Sequence, residues 1–236
     1  MAHPTETEQS KIFPNKAFGY WKVVVDRPLR LAVDLSGSRL EQFEHTCVKA
    51  KEEPLANLAR RVAETLGAGP HLDFNAFMDT VEADADKHGV KLTAKRKKLL
   101  QSELCDTRED AAPVLKKVHK PGKATPDPIH GLFEAEVKGK TYVVEYKPDT
   151  ALHDSEQVPL LEDGGIEAFF RREVLPYTPD AWIDPEKTLV GYEISFTRHY
   201  YQPPKLRTLE EISADILALE QETDGLLTEI TRGGAV

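Results

Sequence analysis

Three side chains form the one catalytic-looking pattern in the sequence. Asp127 stands in Thr-Pro-Asp-Pro, and Glu145 and Lys147 follow eighteen and twenty residues later in Val-Glu-Tyr-Lys. An Asp followed by Glu-x-Lys on a strand is how metal-dependent nucleases are built: hard carboxylate oxygens hold Mg²⁺ and the lysine orients the attacking water. In a chain this rich in acids and lysines the trio also arises by chance. Period-2 alternation would equally put Glu145 and Lys147 on the solvated face of a hairpin. A metal-dependent nuclease built on Asp127, Glu145 and Lys147 is therefore the alternative reading.

Other reactive residues lack company. His199 lies beside Arg198, Tyr200 and Tyr201, and no Ser/His/Asp or Cys/His arrangement gives it a nucleophile to serve. Interleaved arginine and aromatic rings can instead stack on bases or grip phosphate, which makes Arg198 a candidate DNA contact. Cys47 and Cys105 show neither metal-ligand spacing nor a disulfide framework and read as buried thiols. We assign no catalytic, cofactor-binding or metal-binding residue in this chain.

Charge is uneven along the sequence. Ten Lys/Arg face four acids between Lys91 and Lys123, a local balance of +6 in a chain of net charge -9, so the remainder carries -15. An acidic body argues against indiscriminate coating of nucleic acid, while a basic island can still meet a phosphate backbone. Lys95, Arg96, Lys97 and Lys98 are the candidate contacts there. The competing interpretation is a solvated helix face.

The elements that must position these residues point to an α+β fold: mixed helices and short hairpins, with a long C-terminal helix extending from the body. Residues 1–17 are polar and expected to be loosely ordered. Residues 18–128 hold a strand segment, "FGYWKVVVDRPLRLAVDL", read as a strand pair or one strand broken at Pro28, and then a helical region. Pro54 opens one helix, Asp73 a second and Thr93 a third that carries the basic island. Lys- and Pro-rich residues 113–128 read as an exposed linker. Residues 129–207 hold a hairpin turning at Lys138-Gly139-Lys140, a helix over 166–175 and a returning strand, "TLVGYEISFTRHYY". In the helix, Phe169 and Phe170 are expected in the core, while Arg171 and Arg172 satisfy acids or face DNA or a partner.

A closing helix spans residues 208–232. Its Leu209, Ile212, Ile216, Leu219, Thr223, Leu226 and Ile230 recur at alternating steps of three and four, a continuous narrow seam suited to packing on one or two other helices. Leu209, Ile212, Ile216, Leu219, Leu226 and Ile230 are the candidate docking residues, with this protein's own helices as the competing surface. No run approaches the ~20 apolar residues of a membrane span, and the first thirty residues lack the plan of a signal peptide, so a cytoplasmic address is expected.

Four blocks carry a family resemblance: "KIFPNKAFGYWKVVVDRPLRL" (11–31), "DTREDAAPV" (106–114), "YKPDTALHDSEQVPLLEDGGIEAFFRREVLPYTPDAWID" (146–184) and "KTLVGYEISFTRHYYQPPKLRTLEEISADILALE" (187–220). In this order the chain resembles the carboxyl-terminal region of the modification subunit of type I restriction-modification systems, an N6-adenine DNA methyltransferase family. Residues 36–105 share only helical character with it. The resemblance implies docking of the closing helix on the specificity subunit, with an upstream methyltransferase half and DNA as further partners in the complex. The family's glycine-rich loop for S-adenosylmethionine and its Asn-Pro-Pro-aromatic tetrapeptide are both missing. The one Pro-Pro pair, Pro203-Pro204, follows Gln202. The chain therefore looks like the part after the catalytic domain, from a split gene, a truncated frame or a fragment, and the cofactor would bind the upstream half.

Overall fold

The structure, a computed structural model, describes residues 7, 10–201 and 206–233, without the side chains of 198–199, 220 and 224–233. It is α+β, and the chain divides into two compact units: residues 13–193, and residues 1–12 with 194–236.

In the first unit, β1 (Gly19–Asp26) is the centre of an antiparallel sheet, flanked by β7 (Asp154–Pro159) and β8 (Trp182–Tyr192). The β-branched run Val23-Val24-Val25 is entirely buried, as a central strand covered on both faces requires. Val23 and Val25 point the same way and pack with Val158, Ile183, Phe170 and Val174. The last two come from the segment expected as a helix over 166–175. There α5 (Gly165–Phe169) runs on into a π-helical turn, Phe170–Val174. Phe170 is buried and Phe169 half-buried, as expected of anchors.

A second core lies among four helices. These are α1 (Gly37–Ala50), α2 (Glu53–Leu66), α3 (Phe74–Lys87) and α4 (Ala94–Leu104). Pro54 sits in the first turn of α2, where its missing N–H costs nothing, and Leu55, Leu58, Ala59 and Val62 form its buried stripe. The Asp73 carboxylate accepts from the backbone N–H groups of Asn75 and Ala76, starting α3. The Thr93 hydroxyl accepts from Arg96 N–H at the start of α4. Phe43 and Cys47 of α1, Phe77 and Val81 of α3, and Leu100 and Leu104 of α4 close on these residues. Leu31 and Val33 of β2 (Leu31–Val33) join them, and β2 pairs with β3 (Cys105–Thr107).

A third sheet has the order β4–β6–β5, with β4 at Leu115–Val118, β5 at Phe133–Val137 and β6 at Lys140–Tyr146. The β5–β6 hairpin turns at Lys138 and Gly139, both at positive φ, the two-residue geometry that suits strand twist. Phe133 packs on Tyr146 and Trp182, tying this sheet to β8.

Several sequence expectations are corrected. β1 and β2 do not pair with each other: Pro28 separates them and each joins a different sheet. The stretch expected as a linker contains β4, whose backbone is paired with β6. β1, from residues 18–128, pairs with β7 and β8, from residues 129–207, so these two segments share a sheet. The returning strand stops at Tyr192, and Phe196–Tyr200 forms a short helix, α6. In the second unit, α7 (Leu209–Gly233) provides the long C-terminal helix.

Candidate functional site

Helix α7 begins at a reciprocal cap. Thr208 Oγ1 accepts from Glu211 N–H at 3.2 Å, and Glu211 Oε2 accepts from Thr208 N–H at 2.9 Å. Two of the donors that a helix start leaves unmet are thus satisfied. Arg207 adds a hydrogen bond to the Glu211 carbonyl and an ion pair with Asp215. These bonds hold the first turns of the helix together. Along that seam Leu209 is 83% exposed, Ile212 41%, Ile216 55% and Leu219 61%. Thr223 donates its hydroxyl to the Leu219 carbonyl at 2.6 Å, so its polar atom is met by its own helix. The side chains of Leu226 and Ile230 lie outside the described residues.

The basic helix divides into paired and unpaired lysines and arginines. Arg96 holds Glu52 and the Lys91 carbonyl, and Lys97 holds Glu82 at 2.6 Å. These two serve the packing of α4 against its neighbours. Lys95 and Lys98 are exposed and make no ion pair among the described residues. Lys98 and Lys97 line a cleft of about 670 Å³ together with Lys147, Phe74, Met78 and Leu115. Arg198 falls in α6, with its side chain outside the described residues.

Asp127, Glu145 and Lys147 each engage a different partner. Asp127 accepts from His130 at 2.8 Å, and Lys147 donates to Gln101 at 3.1 Å. The Glu145 carboxylate is held by Lys116, Lys117 and His119. Burial pushes the Glu145 carboxyl upward, but hydrogen bonds from Lys116 and His119 outweigh it and leave it below the usual carboxylate range. No hydrogen bond or ion pair joins any two of the three, and Glu145 and Lys147 line different cavities. Among the described residues no three His, Cys, Asp or Glu side chains are grouped so as to hold a metal ion.

Arg171 and Arg172 take the acidic option. Arg171 reaches Glu167 at 3.6 Å, and Arg172 holds Glu162 and Glu173, both at 2.7 Å, while lying over the Phe169 ring. An interaction that sequence reasoning missed is the clamp of Asp180 on Arg27 and Arg30, at 3.2 and 3.1 Å. It ties the connection between β1 and β2 to the segment leading into β8. Nothing local in the sequence marks it, because its partners are remote along the chain.

Every paired strand among those described is antiparallel. No helix among the described residues is long and apolar enough to cross a membrane. No family model, curated protein or solved structure matches the chain.

Proposed function

We propose that this chain is a noncatalytic assembly module, the carboxyl-terminal part of a type I restriction-modification DNA methyltransferase subunit, acting in the cytoplasm. It joins the upstream methyltransferase half, which binds S-adenosylmethionine, to the specificity subunit that reads the DNA. The four sequence blocks support the family, and one observation carries the role. Helix α7 presents Ile212, Ile216 and Leu219 to solvent on a capped helix of 25 residues. Covering each such side chain is worth on the order of 1.5–3 kcal/mol, so the seam is a strong incentive to pair. Lys95 and Lys98 supply contacts to DNA backbone within the complex, adding affinity without sequence choice.

Reconstitution tests the role. The purified chain alone is expected to transfer no methyl group to adenine in duplex DNA. Added to the upstream half and the specificity subunit, it is expected to restore methylation. Methyl transfer by the chain alone, or full activity of the other two parts without it, contradicts the proposal.

A further inference from the structure

The face that α7 shows to a partner is set by more than its apolar seam. Written as heptads, Leu209, Ile216, Thr223 and Ile230 occupy the first core position and Ile212, Leu219 and Leu226 the second. The positions flanking that core are Thr208, Asp215, Glu222 and Glu229 on one side, and Ser213, Glu220 and Leu227 on the other. Four of the seven are acidic and none is basic. Over Leu209–Gly233 as a whole there are seven acids, Glu210, Glu211, Asp215, Glu220, Glu222, Asp224 and Glu229, against one base, Arg232. Arg207 engages Asp215, and Glu222 is exposed without an ion pair among the described residues.

Flanking charges in paired helices meet across the seam and decide which partner is accepted. A second copy of α7 in parallel would set Asp215 against Glu220. An antiparallel copy would set acidic flank against acidic flank. Both arrangements bring like charges together beside a seam that desolvates them, which disfavours self-pairing. A helix with the same apolar rhythm and Lys or Arg in its flanks would gain from every one of these contacts.

Building on the docking role above, we propose that α7 is a hetero-specific recognition helix: it pairs with a helix of a different chain whose seam is flanked by Lys and Arg, and its acids reject a second copy of itself. The acids thus prevent the exposed seam from being used up by self-association before the partner arrives.

Two synthetic peptides with identical Ile/Leu seams, one carrying Lys at every flanking position and the other Glu, test this against the full-length chain by fluorescence anisotropy. The Lys peptide is expected to bind at least about tenfold more tightly, with an advantage that shrinks in high salt. Replacing Asp215, Glu220, Glu222 and Glu229 together by Lys should invert the preference, and sedimentation should find the unmodified chain monomeric. Equal affinities, preference for the Glu peptide, or a dimer of the unmodified chain abolished by Ile216→Asp with Leu219→Asp would overturn the proposal. If binding needs the seam but ignores flank charge, this inference falls while the docking role stands. If neither peptide binds, the inference also falls, and capture of the specificity subunit judges the docking role separately.

Discussion

Thr208 and Glu211 each accept a hydrogen bond from the other's backbone N–H, and this exchange sets where α7 starts. Leu209, the first seam residue, follows immediately. Removing the pair with Thr208→Ala and Glu211→Ala should cost the helix about 1 kcal/mol and fray its first turn. Amide hydrogen exchange should speed up at the start of α7 while protection in the core of Phe43, Leu58 and Leu100 is unchanged. Equal loss of protection in that core would show that the cap supports the whole chain and not the helix alone.

The split within the basic helix separates binding from stability. Lys95→Glu with Lys98→Glu should weaken duplex DNA binding and lower the steepness of its salt dependence by up to about two, since each phosphate contact contributes roughly 0.9 to the slope. Thermal stability should stay within about 0.5 kcal/mol, as for exposed unpaired side chains. Arg96→Gln should do the reverse, because Arg96 joins α4 to Glu52. Unchanged affinity and slope after the double reversal would make the island solvated surface only.

Acid sensitivity should follow from Arg61 and Asp84. Arg61 donates to Asp84 Oδ2 through two nitrogens, at 2.9 and 2.7 Å, and these bonds hold the Asp84 carboxyl below its ordinary value of 3.8. A carboxyl held lower in the folded than in the unfolded state stabilises the fold fully above its unfolded value. That contribution is lost as the pH falls through the folded value. Arg61→Gln should therefore cost about 1–2 kcal/mol at neutral pH, with the deficit shrinking as the pH falls below the ordinary carboxyl value of 3.8. Urea titrations at both pH values measure it, and a deficit that does not depend on pH would contradict the assignment.

Burial pushes the Cys47 thiol up to about 11 and the Cys105 thiol up to about 12. The reactive thiolate is then scarce, and neither sulfur is open to a reagent. Both cysteines should resist a thiol-specific chromogen in the native protein and react together on unfolding. Rapid labelling of either in the folded chain would place it outside the core.

What the sequence revealed was mostly local. Asp73 and Thr93 mark helix starts because a cap and its donors lie within three residues, Pro54 because a first turn needs no N–H there, and Lys138-Gly139 marks a turn because so few residue pairs suit positive φ. Strand β7 was not legible: Ser155, Glu156 and Gln157 are polar, and only pairing with the distant β1 makes them a strand. The end of β8 shows the same dependence in reverse. Gly19, where β1 begins, pairs with Tyr192, so the partner runs out there and the strand-like Phe196–Tyr200 coils instead. At the candidate sites, the order of the seam could be read from residue types. Which basic residues were already engaged could not, because Glu52 at the cap of α2 and Glu82 of α3 reach α4 from elsewhere in the chain.

Capture of the specificity subunit by the full-length chain, with and without Ile216→Asp and Leu219→Asp, tests the central claim most directly. The account predicts a stable complex for the unmodified chain. For the double variant it predicts binding weakened at least about a hundredfold, from two large side chains each worth on the order of 1.5–3 kcal/mol when covered, with unchanged thermal unfolding of residues 13–193. Undiminished capture by the double variant, or loss of folding throughout that unit, would contradict it.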